Sequence, residues 1–588
     1  MGLGVLNDNK LQHVPGTATL DELSDPIAAA AAAETANYEN LKRSKDGIIL
    51  VPQPSNDPND PLNWSLRRRD MITAILCLLS VIASTLSPLL AANTLTLTLY
   101  FRRPFTDIAL LTGWHLFGVG LAGFIFVPSA RVWGKRHLYL LGTVVIIISS
   151  AWGGGSGHNY KSLLAARVFQ GVGLAPFEAL VNTTIGDMYF VHERGKRMAL
   201  SNLSLFGGAF FTPVIVGKLT STLGWQWSFY LLAIFTAAML PLVIFYVPET
   251  AYVREERFNT DTALTKNAAV VGQSNGANEE MTESISIEKP ANNTAKASPS
   301  SEATPTPQLQ KTLSPFNGRK TDDYFLQLLF RPLPLFLHPG IFWAMLIQGT
   351  LIGWTVLIGI VIGGLLLGPP LFFNEVQTGY MYTGAFIGAL LGFLVAGVLA
   401  DSSAKWMTRM NNGVYEPEFR IILVIPQLIF GCAGLYGFGI VSANTFKYGW
   451  FWMDFFFALE VMGMVIGAVA SALYLVDAHR DIAVEAFTCL LIFKNIFSFG
   501  LTFSGYNWLA YTVGGVKPVF MAISSVQVVV CCLSIFMYVF GKKNRSFFAR
   551  HDILELCHMK GEPPRWIRWV SETWVGLGNR LGGVFSKS

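Results

Sequence analysis

The sequence predicts an all-α membrane protein whose twelve transmembrane helices form two pseudo-symmetric six-helix bundles. The 588 residues are 52% hydrophobic and 14% charged, with a mean hydropathy of +0.43, whereas a typical soluble protein is about 25% charged. Apolar runs long enough to cross a bilayer fall into two groups of six, and a polar stretch separates the groups. Basic residues concentrate in alternate loops, as expected for a chain that crosses a membrane repeatedly.

Each predicted span is an apolar run of about 20 residues, the length needed to cross roughly 30 Å of hydrocarbon. The first group is predicted near 71–92, 109–129, 138–154, 162–186, 198–220 and 227–247. The second group is predicted near 341–367, 380–400, 421–441, 451–476, 487–511 and 518–540.

The loop charges predict that both termini lie in the cytosol. The residues before the first span do not resemble a signal peptide, so we expect the N-terminus to stay on the cytosolic side. The loops assigned to the cytosol are rich in Lys and Arg, namely Arg67, Arg68, Arg69, Arg131, Lys135, Arg136, Arg194, Lys196, Arg197, Lys405, Arg409, Arg420, Arg480, Lys542, Lys543 and Arg545. The opposite loops carry Arg102, Arg103, Lys161, Lys218, Lys447 and Lys517.

Polarity divides the chain into five regions. Residues 1–65 are expected to form a disordered cytosolic region, with a short helix at 28–33, and residues 66–250 the first bundle. Residues 251–335 are expected to be a disordered cytosolic linker, because their Asn, Ser, Thr, Glu and Pro content cannot bury enough apolar surface. Residues 336–541 then form the second bundle, and 542–588 a cytosolic tail.

The sequence offers no cluster that would support enzymatic chemistry. It contains no nucleotide loop, nucleophile elbow or zinc motif, and its six cysteines lack the paired spacing of a disulfide framework or metal site. We therefore expect a protein that is not an enzyme and that uses no cofactor, metal or nucleic acid.

Two loops recur in both halves. YFVHERGK (189–196) after the fourth span matches YLVDAHRD (474–481) after the tenth, and ARVWGKR (130–136) matches GVLADSSAKW (397–406). The offsets agree once the insertion MNNGVYEPEFR (410–420) is allowed for. Such repeats indicate a transporter with its site between the halves at mid-membrane.

The chain resembles the major facilitator superfamily, in particular its fungal drug:proton antiporter-like members. The resemblance covers about residues 60–545 and is strongest in DPNDPLNWS (57–65), RVFQGVGLAPFEALVNTTIGDMYFVHERGKR (167–197), NNGVYEPEFR (411–420) and FKNIFSFGLTF (493–503). It implies the fold of that family and alternating access of one central cavity to the two sides of the membrane, usually driven by a proton gradient.

The family's loop motif between the second and third spans is altered in this chain. Gly134, Lys135 and Arg136 match the motif, but Arg131 stands where the family has an acid and Val127 where it has the first glycine. This departure puts the usual charge latch of the first half in doubt.

The second half retains the complementary part of that loop motif. Gly397 and Asp401 match it, while Ala404 replaces the later glycine. We expect Asp401 and nearby Lys405 to form the latch, the alternative being that these are ordinary solvated loop charges.

The fifth span partly matches the helix-bend motif that the family associates with export. Gly208, Pro213 and Gly217 match, while Thr212 and Val216 replace two glycines. Glycine permits close helix approach and proline removes a backbone hydrogen bond, so a bend is expected here.

Charged groups inside spans are the strongest functional candidates, because a charge at a helix centre costs about 2.5–3.5 kcal/mol. Arg167 and Glu178 share one helix face within about 20°, but they stand about 16 Å apart along the axis. We therefore expect no direct ion pair between them. The alternative for Arg167 is that it reaches the outer membrane surface or fixes helix packing, and the alternative for Glu178 is a structural role. Gln170 lies one turn from Arg167, and Pro176 should kink the helix near the carboxylate.

The second half contributes Glu460, Lys494 and Asn495 to the predicted cavity. By the repeat offset, Glu460 and Glu178 lie at similar depths in the membrane. Either carboxyl group could therefore face one cavity and carry a proton. Lys494 pairing with Glu460 is an open alternative that would make Glu460 structural. Weaker candidates for hydrogen bonding in the cavity are Asn93, His115, Asn202, Gln348 and Asn507.

These features favour proton-coupled efflux of small organic molecules such as drugs, toxins or secondary metabolites. The alternatives are proton-coupled uptake of a cationic nutrient such as a polyamine, and a membrane sensor that does not transport. The expected partners are a small-molecule substrate, protons and the lipid bilayer, with the chain acting as a monomer. We expect a multi-pass protein of the plasma membrane, with the vacuolar membrane as the alternative.

Overall fold

The computed structural model describes residues 3–6, 10–11, 14–19, 54–252, 314–316, 318–321 and 323–561. The predicted helix at 28–33, most of the predicted linker and the tail beyond residue 561 lie outside the described residues.

The first half is built of eight described α-helices. Their bounds are α1 (Leu66–Ser84), α2 (Thr94–Phe101), α3 (Phe105–Trp133), α4 (Arg136–Gly154), α5 (Tyr160–Ala179), α6 (Val181–Met188), α7 (Val191–Leu223) and α8 (Gln226–Tyr246). Short 3₁₀ turns at Pro61–Asn63 and Ala91–Asn93 precede α1 and α2. Asn159 caps α5 by accepting a hydrogen bond from the Ser162 amide at 3.2 Å.

The second half begins with two short helices, α9 (Phe325–Phe330) and α10 (Pro332–Leu335). The elements that follow are α11 (Pro339–Leu367), α12 (Glu375–Tyr380), α13 (Thr383–Met410), α14 (Val424–Gln427), α15 (Ala433–Ser442), α16 (Thr445–Ala478), α17 (Ala483–Tyr511), α18 (Val516–Arg550) and α19 (Ile553–Leu556). A 3₁₀ helix at Pro417–Leu423 and a π-helical turn at Leu428–Cys432 flank α14, and a 3₁₀ turn at Arg480–Ile482 precedes α17.

Eleven helical segments within the described residues are long and apolar enough to cross a membrane. The predicted first span is not among them. Its helix α1 has 19 residues and begins with the charged run Arg67–Asp70, and the chain then turns before α2. The expected all-α, multi-pass membrane fold is confirmed, and α1 occupies the position of the remaining predicted span.

Each half has its own hydrophobic core. The buried residues of one hydrophobic cluster all lie between Trp64 and Val247 in the sequence. Those of another all lie between Leu335 and Leu554. The two halves meet along α3 and α17, where Gly113 packs on Thr502 and Gly120 on Asn495. Small residues at such contacts let helices approach closely in a membrane.

The molecule has two opposite sides, each named here for the elements that it carries. The "linker side" carries the end of α8 and the start of α9, between which the linker runs. The "far side" carries α2 and α12. Both described ends of the chain lie on the linker side, because the Leu6 amide donates to the Val539 carbonyl at 3.0 Å and the Gln327 side chain donates to the Gly561 carbonyl at 3.2 Å.

The predicted disorder of residues 1–65 does not hold for the described part of that region. Strand β1 (Ala18–Thr19) pairs antiparallel with β2 (Val414–Tyr415) on the second half. The Tyr538 hydroxyl also donates to the Leu3 carbonyl at 2.9 Å. Hydrogen bonds, together with the packing of Val5 against a cluster that includes Tyr415 and Phe419, therefore hold this segment.

The predicted boundaries at 335 and 541 also shift. Within the expected disordered linker, α9 and α10 form because Leu328 and Leu335 are buried, with 4% and 1% of their surface exposed. Helix α18 continues past 541 to Arg550, where Arg545 is held by Glu416 and Glu418 at 2.8 and 2.7 Å.

Candidate functional site

A central cavity of about 180 Å³ lies between the two halves. Most of its lining is apolar, with Leu116, Leu174, Phe206, Phe210, Ile352, Val356 and Phe457 among the larger side chains. Its polar side chains are mostly hydroxyl groups, and the charged ones are Glu178 and Lys494. Such a site suits a compact organic molecule with limited polarity.

Glu178 and Lys494 form an ion pair that joins the two halves at the central cavity. Glu178 comes from α5 and Lys494 from α17, and their side chains are 12% and 13% exposed. The alternative in which Lys494 pairs with Glu460 is wrong, because the lysine points into the cavity toward the first half. Asn495 also lines the cavity and donates to the Leu491 carbonyl at 3.0 Å.

Glu460 lies behind the cavity wall. Its side chain is fully buried, and one carboxyl oxygen accepts a hydrogen bond from the Thr355 hydroxyl at 2.7 Å. The other oxygen has no hydrogen-bond partner among the described residues. Thr355 itself lines the cavity, so its hydroxyl links this carboxyl to the cavity wall.

Arg167 and Gln170 do not line the cavity, contrary to the prediction. Arg167 is fully buried and donates to the backbone carbonyl of Leu86 at 2.7 Å, to that of Ser87 at 3.3 Å and to the Gln170 side chain at 2.9 Å. Carbonyl groups after a helix end lack intrahelical partners. The turn after α1 therefore attracts the guanidinium into the first bundle.

The five weaker candidates also lie outside the cavity lining. Asn202 accepts from Asn182 at 2.8 Å, and Gln348 accepts from Ser471 at 3.2 Å, so both are occupied by protein groups. Asn507 is exposed on the outer surface of α17. Asn93 and His115 are fully buried, and their side-chain polar atoms have no partner within the described part of the chain.

The loop motif of the first half binds mainly within its own bundle. Gly134 ends α3 with a φ of +89°, a conformation that favours glycine. Lys135 pairs with Asp187 at 2.5 Å, and the amides of Lys135 and Arg136 donate to Glu249 at 3.0 and 3.1 Å. The backbone turn thus presents two N–H groups to one carboxylate.

Arg131 forms a cross-bundle latch on the linker side. It pairs with Glu485, in the first turn of α17, at 3.0 Å, and with Asp323 at 3.4 Å. Glu485 also pairs with Arg331 at 3.4 Å. Arg131 occupies the position where the family motif has an acid, so a basic residue makes this contact from the first half. The changed charge at this position is visible in the sequence, whereas its partner Glu485 is not.

The predicted Asp401–Lys405 latch does not form in this structure. Asp401 is 76% exposed and approaches Arg420 at 3.8 Å, while Arg420 makes its shorter contact with Asp477 at 3.0 Å. Both Asp401 and Lys405 lie on the exposed face of α13. Gly397 has open space where a side chain would lie, so it permits no special close contact there.

The helix-bend residues bring α7 against α1 and α12. At Gly208 a side chain would collide with Ser84 and Val81 of α1. At Gly217 it would collide with the Glu375 backbone, and Pro213 faces Gly379 in the same contact. This backbone-to-backbone packing joins the two halves on the far side.

A model of the Major Facilitator Superfamily matches residues 72–483 of the chain. Protein HOL1 of Saccharomyces cerevisiae is 25% identical over 558 residues, which cover 87% of this chain and 93% of that protein. The MFS transporter cpaT of Aspergillus oryzae is 25% identical over 502 residues, which cover 83% of this chain and 90% of that protein.

Among solved structures, the chain is similar to the proton:xylose symporter XylE from E. coli. The TM-score is 0.53 at 13% identity, and the match covers 81% of this chain and 96% of XylE. At this identity the likeness concerns the fold alone.

Proposed function

This chain belongs to the major facilitator superfamily, and on that premise we propose that it exports small, largely apolar organic molecules in exchange for protons. The predicted superfamily is confirmed, and with it a multi-pass membrane transporter rather than an enzyme. The substrate class, the direction and the coupling ion are the proposal.

The observation that carries the proposal is the position of Glu460. An unpaired buried charge is costly, so the enclosed arrangement around Glu460 favours a carboxyl that holds its proton. Thr355 lies between this group and the cavity. Entry of water or substrate next to Thr355 would change the surroundings of the carboxyl, which gives a route for coupling proton release to occupancy of the cavity.

Glu178 is less suited to carry the proton in this state. Its carboxylate already has a partner, the Lys494 ammonium group of the second half. We propose that this pair positions α5 against α17 across the cavity. Arg167 then serves to fix the turn after α1, since its guanidinium binds backbone carbonyl groups there.

The lining of the cavity supports the proposed substrate class. Its walls are mainly aliphatic and phenyl groups, and its two charges contact each other. Uptake of a polyamine would require unpaired carboxylates facing the cavity. Glu178 is occupied by Lys494 and Glu460 lies behind Thr355, so the cationic-nutrient alternative is less favoured.

The proposed direction rests on the family resemblance and on the bend motif of α7. Gly208, Pro213 and Gly217 lie at contacts with α1 and α12, and those around Gly217 join the halves on the far side. Helices packed through small residues can separate without dragging large side chains past each other. We propose that this contact opens to release substrate, with the basic linker side in the cytosol.

Flux through reconstituted protein tests the proposal. The full chain in liposomes is given a pH gradient of either orientation and a panel of radiolabelled neutral, apolar drugs. Accumulation against the drug gradient, driven by protons moving in the opposite direction, is expected. Collapse of the pH gradient with a protonophore should abolish accumulation. Accumulation in the same direction as proton movement would contradict export by exchange, and flux of no compound in the panel would contradict the substrate class.

A further inference from the structure

A second cavity, of about 310 Å³, opens on the far side between the two halves. The first half contributes residues around the start of α2, and the second half contributes the end of α11 and the segment leading into α12. Phe372, which lines this far-side cavity, is 69% exposed. The cavity therefore reaches the surface of the molecule.

Glu375 is the one ionisable residue in the lining of the far-side cavity. Its carboxylate accepts a hydrogen bond from the Thr96 hydroxyl of α2. It has no ion pair with any residue that the structure describes. The far-side cavity thus carries a negative charge that the protein does not neutralise, unlike the central cavity, where Glu178 contacts Lys494.

The remaining lining residues indicate which cation fits. A calcium ion takes six to eight oxygen ligands and magnesium needs an octahedral set, so one carboxylate is a poor site for either. Phe372 and Phe373 provide phenyl rings beside the carboxylate, and ring faces attract ammonium groups. We propose that the far-side cavity binds an amphiphilic organic cation, with the ammonium group at Glu375 and the apolar part against Phe372 and Phe373.

The wall between the two cavities is thin. Thr94 lines both of them. A Cβ atom at Gly363 would lie 3.3 Å from the Thr94 hydroxyl and 3.4 Å from the Ala91 carbonyl. Helix α11 therefore packs closely on the 3₁₀ turn Ala91–Asn93 and the start of α2. A solute that leaves the central cavity past Thr94 meets Glu375 next. The inference rests on the proposed function in this respect, and it adds apolar molecules that bear an ammonium group to the neutral substrates expected for the central cavity.

Equilibrium binding tests the site without any gradient. The full chain in detergent is titrated with radiolabelled phenyltrimethylammonium, a small aromatic cation. Saturable binding is expected, and the neutral analogue tert-butylbenzene should not compete. Glu375→Gln should weaken binding about tenfold, as for loss of a charge-assisted contact, whereas Glu375→Asp should retain most of it. Phe372→Leu should weaken it about threefold without affecting folding, because that ring is largely exposed.

Asp107→Asn is the matched control. Asp107 is another far-side acid, but it pairs with Arg103 at 3.6 Å and lines neither cavity. Binding should be unchanged in this variant, and all variants should unfold at the wild-type temperature. Absence of saturable binding to the wild type, equal affinity in Glu375→Gln, or an equal loss in Asp107→Asn would overturn the inference. Intact binding without proton-driven flux would instead contradict the proposed function alone.

Discussion

Lys494 and Glu178 connect the halves through a pair of nearly buried charges, and this makes their contributions to stability interdependent. Replacing Lys494 by Met leaves the Glu178 carboxylate without its cation, which should lower the free energy of unfolding by up to about 3 kcal/mol. The double variant Glu178→Gln/Lys494→Met should recover most of that loss. Chemical or thermal unfolding in detergent of both single variants and the double variant measures the coupling.

Additive effects of these two substitutions would contradict a direct interaction in the folded protein. The control pair is Arg103 and Asp107, whose side chains are 51% and 28% exposed. Exposed ion pairs contribute about 0–1 kcal/mol to the free energy of unfolding. The corresponding single and double variants of Arg103 and Asp107 should therefore show little coupling.

Several residues of the candidate site were predictable from sequence because charge inside a span is rare. Glu178, Glu460 and Lys494 stand out on that basis, together with the polar neighbour Asn495, and the structure places Glu178, Lys494 and Asn495 on the central cavity. Thr355 was missed, since a hydroxyl in an apolar helix gives no distinct signal. Arg167 was assigned to the cavity because sequence does not reveal that a neighbouring turn exposes free carbonyl groups.

At the scale of elements, α7 and α12 pack so closely that one added methyl group would collide with the neighbouring backbone. Gly217→Ala would press a methyl group against the Glu375 backbone, whereas at Gly207 of the same helix the nearest atom would be 3.7 Å away. Alanine favours helix over glycine by about 1 kcal/mol. Gly207→Ala should therefore be neutral or stabilising, and Gly217→Ala should destabilise by about 1–3 kcal/mol.

Thermal unfolding and maximal transport rate check this pair of variants together. We expect Gly217→Ala to reduce both and Gly207→Ala to reduce neither. Equal behaviour of the two variants would show that the far-side contact is not the closed state of the protein.

The start of α11 and the end of α16 bring two histidines together on the linker side. The His338 and His479 rings lie 4.5 Å apart, and His338 accepts a hydrogen bond from the Gly340 amide at 3.2 Å. Burial lowers the pKa of His338 to about 4. Burial, with the nearby His338 and Arg545, also lowers the pKa of His479 well below its ordinary value; Tyr474 faces the same cluster.

This cluster predicts acid sensitivity of the fold. The unfolded chain has a histidine pKa of about 6.5, so between pH 6.5 and 4 the unfolded state binds more protons than the folded state. The contribution of neutral His338 is complete above pH 6.5. It is lost as pH falls toward 4, on the order of 3 kcal/mol in total.

His338→Asn keeps an acceptor for the Gly340 amide but removes the titrating group. Unfolding temperatures in detergent, measured from pH 7 to pH 4, should fall less steeply in this variant than in the wild type. Parallel curves would contradict the assigned role of His338.

For the whole molecule, hydropathy and loop charge predicted the two-bundle membrane fold because each span needs a long apolar run and each bundle needs its own core. Contacts between distant parts of the chain were harder to predict. The Arg131–Glu485 pair and the β1–β2 pairing join residues hundreds of positions apart, and a single sequence has no periodic signal for such contacts. The order in α9 and α10 was missed for a similar reason, since composition averaged over a polar linker conceals a short apolar segment.

The whole transport cycle depends in this account on one protonatable carboxyl, that of Glu460. Substrate exchange between equal concentrations needs only the movement of a loaded carrier, whereas accumulation needs the proton to be bound on one side and released on the other. Glu460→Gln resembles the protonated side chain in shape and hydrogen bonding, so the fold and the cavity should be preserved.

The most direct test measures substrate exchange and gradient-driven accumulation in liposomes for the wild type, Glu460→Gln and the control Asp454→Asn. Asp454 is an acid on the same helix that lies outside the central cavity. We predict that Glu460→Gln retains exchange of a transported neutral drug but loses accumulation driven by a pH gradient, while Asp454→Asn retains both. Undiminished gradient-driven accumulation in Glu460→Gln would contradict the assignment of Glu460 as the proton carrier.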